Sequence, residues 1–284
     1  MDFGLFIFPT DTTLGPIEAA RAAEDAGFES LWFPEHSHIP TSRATPWGGR
    51  PDAPPLPEWY WRTLDQFVAL GAAAAVTTSL RLGTGITLVA QRDPVWLAKE
   101  VATLDHLSGG RVLFGIGYGW NKEEMATHGV TYQQRRELLR EKILMMKELW
   151  AAEQAAFQGE LLELKSSWAW PKPVQQPHPP ILMGGAAGPR TIEHMVEFCD
   201  GWIPLATRHD LEGKLHELTS ALEAAGRDPA SFDITTYGTK ASPENIDRLI
   251  GLKVSRIVFN LQPREPAEVL GRIEALGELI SGWR

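Results

Sequence analysis

Cysteine is nearly absent from this chain of 284 residues, in which Cys199 stands alone. A single cysteine excludes an internal disulfide, so a reducing cytoplasm is the expected location. Blocks of lysine and arginine are also missing, and the formal net charge is −9 at pH 7. An acidic chain without a basic patch is a poor match for nucleic acid or for an anionic membrane surface. We therefore expect neither as a partner.

Long apolar runs are missing as well. No stretch approaches the roughly 20 apolar residues that a membrane-spanning helix needs. The first residues, MDFGLFIFPTD, lack the positive flank of a secretory signal and enter a strand-like pattern at once. These features predict a cytoplasmic protein whose partner is a small-molecule substrate.

The stretch from Arg81 to Trp120 shows how the chain is organised. An apolar run predicts a buried strand from Leu82 to Leu88, in which internal glycines indicate a bulge or a close backbone approach. Asp93 and Pro94 then begin a helix that Gly109 ends. A second buried run starts at Val112. Strand, helix and strand with tight joints form a βαβ unit with parallel strands.

The same alternation runs through the whole chain. Eight strands are predicted to start at or near Phe3, Ser30, Leu82, Val112, Ile181, Gly201, Phe232 and Arg256. Eight βα units in a chain of this size predict a (β/α)8 TIM barrel, an α/β fold, as a single domain over residues 1–284. Insertions are expected after strands 2 and 4, at about residues 37–62 and 153–179. The first insertion is rich in proline and tryptophan, and we expect a lid whose Trp47 contacts substrate.

The chemistry of such barrels lies at the C-terminal ends of the strands. There, His36 is the sharpest candidate, because an imidazole gives or takes a proton near neutral pH. The neighbouring Glu35 is a candidate to tune the proton exchange of His36, although neighbouring residues on a strand face opposite sides. An alternative uses His36 and His38 as metal ligands of a barrel hydrolase.

Glycines mark two further strand ends. Gly184-Gly185-Ala186 lies between a strand and a helix N-terminus, which suits either an anion site or a tight turn. The run from Gly115 resembles a dinucleotide fingerprint but fails, because Trp120 occupies the third glycine position. A close-packed strand end is the favoured interpretation there.

Four stretches carry a family resemblance: AAEDAGFESLWFPEH, LGTGITLVAQRDPVWLAKEVATLDHLSGGRVLFGIGYGWNKEEM, WAWPKPVQQPHPPILMGGAAGPR and EFCDGWIP. The chain resembles the bacterial luciferase-like superfamily over nearly its whole length, and within it the branch of probable coenzyme F420-dependent oxidoreductases. The resemblance implies a barrel that holds a flavin-like ring in its C-terminal mouth, and a homodimer. F420 is the implied cofactor, with FMN as the alternative.

Residue by residue, the resemblance implies a non-proline cis peptide at Gly85–Ile86. The implied cofactor-binding set is Gly85, Ile86, Thr87, Tyr118, Gly119, Trp120, Asn121, Gly184, Gly185 and Ala186. His36 matches a histidine that sugar-phosphate dehydrogenases of the family use in proton transfer. Their partner acid falls at Trp120, a departure that speaks against a sugar-phosphate substrate and against a simple alcohol oxidation. Arg208 matches a position that meets an anionic substrate.

The function expected from these features is hydride transfer between C5 of a deazaflavin and a small organic substrate, with His36 exchanging the proton. The alternatives are an FMN-dependent monooxygenase, a metal-dependent barrel hydrolase, and a non-catalytic protein that binds a flavin-like ligand.

Overall fold

The computed structural model describes residues 1–206 and 210–283, and it forms a closed barrel of eight parallel strands. The strands are β1 (Asp2–Ile7), β2 (Ser30–Phe33), β3 (Arg81–Thr84), β4 (Val112–Ile116), β5 (Ala155–Gln158), β6 (Glu163–Ser167), β7 (Ile181–Gly184), β8 (Gly201–Ile203), β9 (Asp233–Tyr237) and β10 (Arg256–Leu261). Around the barrel they follow the order β1-β2-β3-β4-β7-β8-β9-β10, and β10 pairs with β1. The predicted TIM barrel is confirmed, and each predicted start lies within one residue of an observed barrel strand.

Strand β3 is shorter than predicted. It ends at Thr84, and not at Leu88, because the chain leaves the ladder at Gly85. It rejoins β4 only through a single bridge between Thr87 and Ile116. The peptide bond between Gly85 and Ile86 is cis, as the resemblance implies.

Helices follow the barrel strands on the outside. They are α1 (Pro16–Asp25), α2 (Trp59–Arg62), α3 (Gln66–Ala74), α4 (Pro94–Ser108), α5 (Lys122–Thr127), α6 (Arg135–Ala151), α7 (Pro189–Phe198), α8 (Leu211–Ala224), α9 (Pro243–Gly251) and α10 (Pro266–Ile280). The predicted start of α4 is confirmed, since the Asp93 carboxylate accepts from the N–H groups of Val95 and Trp96. Within the described ranges, no helix has the length and apolarity needed to span a bilayer.

The second insertion contains an antiparallel hairpin of β5 and β6 that the sequence does not predict. Its turn is fixed by Glu141 of α6, whose carboxylate accepts from the N–H groups of Glu160, Leu161 and Leu162. A distant acid therefore supplies the hydrogen bonds that define this turn. No local pattern shows such a contact.

The barrel interior is filled by a cluster separate from the shell between strands and helices. Its buried members are Phe6, Phe8, Trp32, Leu113, Leu182, Ile203 and Val258. At the N-terminal end of the barrel, Arg256 is only 2% exposed and donates to the carboxylates of Glu29 and Asp233. This ion network closes that end, so the C-terminal end is left for a binding site.

Lys142 of α6 ties the segment after β3 to the helical shell. Its buried ammonium donates to the carbonyls of Ala90 at 2.8 Å and Arg92 at 2.5 Å. Burial lowers the pKa of Lys142 to about 8 from an ordinary value of 10.5.

We predict a pH-dependent contribution of Lys142 to stability. Between about pH 8 and 10.5 the unfolded lysine keeps a proton that the folded one has lost, so folding gains stability as the pH rises. The free energy of unfolding of the wild type should therefore increase over this range relative to Lys142→Met, as measured by urea denaturation. Lys165→Met removes an exposed lysine and serves as the matched control. A wild-type advantage that stays constant across this range contradicts the prediction.

Candidate active site

A cavity of about 420 Å³ opens at the C-terminal ends of the barrel strands. Nine residues predicted for the site line it: Glu35, His36, Gly85, Ile86, Tyr118, Gly119, Trp120, Gly184 and Gly185. Four others are not among its lining residues: Trp47, Thr87, Asn121 and Ala186. Arg208 lies outside the described residues. The barrel thus brings most of the predicted residues together at the C-terminal ends of its strands.

Three of the four residues that do not line the cavity make contacts next to it, and Ala186 is exposed. Thr87 is buried and donates its hydroxyl to Gln66. Asn121 caps α5 by accepting from the N–H of Glu124. The ring of Trp47 packs at 5.6 Å from that of Tyr60, which does line the cavity. These contacts support the wall of the cavity.

His36 is held in place by a buried carboxylate that the sequence analysis does not single out. Nδ1 of His36 lies 2.8 Å from Oε2 of Glu124, and the two side chains are 7% and 1% exposed. The other carboxylate oxygen of Glu124 accepts from the N–H of Ser37 at 3.1 Å. Because the carboxylate accepts from Nδ1–H, Nε2 of His36 is left as the ring atom that exchanges a proton.

Glu35 does not provide this partner, contrary to the suggested tuning of His36. Its carboxylate accepts from the N–H of Leu88 and from Nε of Arg92, each at 2.5 Å. Burial raises the pKa of the Glu35 carboxyl, and Arg92 opposes that shift. Through these two contacts Glu35 fixes the segment after β3, and it does not contact His36 in this way.

Glycines allow the side chain of Ile86 to lie across the barrel mouth. A Cβ atom added to Gly117 or to Gly184 would come within 2.6 Å of Ile86. A Cβ atom added to Gly115 would come within 2.0 Å of the Thr84 carbonyl oxygen. The glycine run after β4 therefore serves close packing, as the favoured interpretation holds.

One end of the cavity is cationic. Arg135 and Arg136 of α6 line it beside Gly184 and Gly185. Within the described part of the chain, Nε of Arg135 is buried without a hydrogen-bond partner. Gly185 has a positive φ of 114°, which turns the backbone in a way that side chains rarely permit. Cations and bare backbone together suit an anionic group.

Tyr118 joins this end to α7. Its ring lies 4.4 Å from the guanidinium of Arg136, and its hydroxyl lies 2.8 Å from Nδ1 of His194. Burial raises the pKa of Tyr118 to about 12 and lowers the pKa of His194. The phenol therefore stays protonated near neutral pH and donates to a neutral imidazole.

His38 does not share the environment of His36. Its Nδ1 lies 2.9 Å from the hydroxyl of Ser37, and its ring faces His128 near the surface. Within residues 1–206 and 210–283, no group of three or more His, Cys, Asp or Glu residues has the geometry to hold a metal ion. The pair of histidines thus lacks further ligands among these residues.

The fold and the cavity define a (β/α)8 barrel with an imidazole–carboxylate pair at its mouth. The chain belongs to the luciferase-like monooxygenase family, whose model matches residues 1–249. This confirms the family that the sequence resembles.

Relatives and solved structures agree with this assignment. An uncharacterized protein of Mycobacterium tuberculosis is 40% identical over 281 residues and covers 99% of each chain. An F420-dependent glucose-6-phosphate dehydrogenase of Kineococcus radiotolerans is 32% identical over 227 residues, covering 76% of this chain and 60% of that protein. Relatives of this chain are thus oxidoreductases.

Two solved structures match the whole barrel. The coenzyme F420-dependent tetrahydromethanopterin reductase of Methanopyrus kandleri has a TM-score of 0.76 at 19% identity, covering 100% of this chain and 99% of that one. The monooxygenase RslO1 of Streptomyces bottropensis has a TM-score of 0.74 at 22% identity, covering 99% and 98%. At these identities the likeness shows the fold alone.

Glu123 fastens the first insertion beside the site. Its carboxylate accepts from the N–H groups of Ala44 at 2.9 Å and Thr45 at 3.1 Å. Burial opposes ionisation, but hydrogen bonds from Thr45 and Ala44 lower the pKa of Glu123 to about 2. The carboxylate therefore remains an anchor at any pH near neutral.

We predict that Glu123→Ala loosens this insertion. Cleavage by trypsin after Arg43 should become several-fold faster, because the two N–H groups that follow lose their acceptor. Limited proteolysis with mass spectrometry measures the rate. Glu223→Ala, at an exposed position of α8, is the control, and an unchanged rate of cleavage after Arg43 rules out the anchoring role.

Proposed function

We propose that the protein is an F420-dependent oxidoreductase that transfers a hydride between the deazaflavin and a small organic substrate. The observation that carries the proposal is the buried Glu124–His36 bond in a cavity with a cationic end. Two relatives whose names describe F420-dependent dehydrogenases support the choice of cofactor.

The residues at the cavity fit such a cofactor. Ile86 offers an apolar support next to Gly117 and Gly184. Arg135, whose buried Nε has no partner among the described residues, and Arg136 offer cations to an anionic tail. When bound, the deazaflavin supplies the hydride chemistry, and the protein supplies orientation and electrostatics.

The protein's own chemistry is a proton exchange at Nε2 of His36. Glu124 holds Nδ1 and so fixes which nitrogen faces the cavity. A protonated ring gives its Nε2 proton to a substrate oxygen during reduction, and a neutral ring takes that proton during oxidation. Carbonyl reduction and alcohol oxidation therefore use the same arrangement. In this proposal Glu35 has no direct part, and Trp47 acts by supporting Tyr60.

An FMN-dependent monooxygenase is the second candidate. The family model carries the description of a monooxygenase, and RslO1 shares the fold. The cationic end formed by Arg135 and Arg136 also suits the phosphate of FMN. The choice between the two cofactors therefore requires a direct comparison of their affinities.

We predict micromolar or tighter binding of F420, and FMN binding weaker by about tenfold or more. F420 carries more negative charge along its tail than FMN, so it gains more from the two arginines. Titration of the purified protein with each cofactor, followed by tryptophan fluorescence, measures both affinities. Tighter binding of FMN moves the proposal to the monooxygenase.

Two variants test whether the cationic end holds the tail. Gly185→Asp adds a negative charge at a strained position, and Arg136→Gln removes a cation without changing the backbone. Each should weaken F420 binding by about tenfold, whereas Gly271→Asp on α10 should not. Unchanged affinity in Arg136→Gln means that the tail lies elsewhere.

We predict separate effects on turnover and affinity at His36. His36→Ala should lower turnover by about 10²–10⁴-fold and leave F420 affinity within a few-fold. Glu124→Gln should lower kcat more than it raises KM, since the ring loses its orientation, and Glu124→Asp should recover part of the loss. Steady-state kinetics with the best aldehyde or enone of a panel measures these effects, and His216→Gln at the surface is the control. Unchanged turnover in His36→Ala removes the proton role.

A further inference from the structure

The cavity has a second end of opposite character around His36. The rings of Tyr60 and Trp120 lie 5.2 and 5.9 Å from the His36 ring, and 6.4 Å from each other. Phe8 lies 4.8 Å from Tyr60. We refer to Phe8, His36, Tyr60 and Trp120 as the aromatic box. All four line the cavity.

The charged side chains of the cavity are unevenly distributed. Among the described lining residues, the side chains with acidic, basic or imidazole groups are Glu35, His36, Arg135 and Arg136. The Glu35 carboxylate is occupied by Arg92 and the N–H of Leu88. The arginines lie at the far end: Arg136 contacts Tyr118 and Thr191, beside the Gly184–Gly185 loop.

Arg43 contacts the box at Trp120 but is not among the residues that line the cavity. Its guanidinium lies 5.7 Å from the Trp120 ring and donates to the carbonyl of Thr45. A phosphate or carboxylate in the box would lose its hydration, and among the described residues of the box only His36 can carry a positive charge. Such burial is costly for a charged group.

The position of Trp120 strengthens this distinction. Trp120 places an uncharged indole in the cavity wall, 5.9 Å from the His36 ring. The acid that holds His36 is Glu124, which binds Nδ1 and is not among the residues that line the cavity. The box residues beside the His36 ring are therefore aromatic and uncharged.

We propose that the aromatic box is the substrate subsite, and that it takes a small, flat, uncharged carbonyl or conjugated enone compound. This inference rests on the proposed function, because the cofactor occupies the other part of the cavity. Aromatic faces favour a planar π system. His36 places one proton at the carbonyl oxygen while the carbonyl carbon receives the hydride, so the compound is reduced to an alcohol and the cofactor is oxidised.

The test compares three aldehydes of similar size that differ in charge or shape. Benzaldehyde is flat and neutral, 4-carboxybenzaldehyde adds a negative charge, and cyclohexanecarbaldehyde is not flat. Each is titrated by calorimetry into protein saturated with oxidised F420, which cannot reduce it. We expect benzaldehyde to bind about tenfold tighter than either of the others. Binding is thereby read without turnover.

Variants identify the residues responsible. Tyr60→Ala should weaken benzaldehyde binding by about tenfold and leave F420 affinity unchanged, and Trp120→Ala should weaken benzaldehyde binding by a similar factor. Tyr60→Phe should retain it, which separates loss of the ring from misfolding. Trp168→Ala is the matched control, since Trp168 is 73% exposed and does not line the cavity.

The outcomes distinguish this inference from the proposed function. If F420 binds but 4-carboxybenzaldehyde binds as tightly as benzaldehyde, the inference is overturned and the proposed function stands. Loss of that tight binding in Arg208→Ala would then assign the anion to Arg208. Failure of all three aldehydes to bind also overturns the inference. If F420 itself does not bind, the proposed function fails, and titration of benzaldehyde into the cofactor-free protein still decides whether the box binds such a compound.

Discussion

The buried carboxylate of Glu124 is the constraint on which the site depends. A carboxylate that is 1% exposed needs hydrogen-bond donors, and it finds them in the His36 ring and the N–H of Ser37. Its neighbour Glu123 binds Ala44 and Thr45 in the same insertion. Two adjacent acids of a six-residue helix after β4 thus hold the segment after β2 at two places. One contact orients the imidazole, and the other fixes the loop that covers it.

The cavity separates two kinds of recognition. Arginines and bare backbone at Gly184 and Gly185 suit an anionic tail, and aromatic rings near His36 suit an apolar substrate. Ile86 lies between these ends, at the break in β3. In the proposed function, the barrel positions a charged cofactor and an uncharged substrate on opposite sides of Ile86. This arrangement follows from strand ends that meet at a single face.

The sequence predicts the barrel well because each βα unit repeats the same local signals: an apolar run, a capping residue and a glycine stop. Those signals place the strand starts within one residue. The site is predicted less completely. Glu124 follows Asn121 by three residues and reads as an ordinary capping-box acid, so nothing local marks its bond with a histidine 88 residues away. Arg135, Arg136 and Tyr60 likewise belong to helices whose approach to the cavity depends on tertiary packing. The sequence suggests Glu35 as the acid for His36, whereas in the structure the Glu35 carboxylate binds Arg92.

Trp120 and Glu124 lie close together in the chain but have different contacts. Glu124, the acid that binds His36, lies four positions along the chain from Trp120, which lines the cavity. The contact that orients His36 and the shape of the cavity wall thus depend on different residues. A substitution at Trp120 can therefore change which compounds fit the cavity without removing the hydrogen bond between His36 and Glu124. In the proposed function, substrate selectivity can therefore change at Trp120 while the His36–Glu124 pair stays the same.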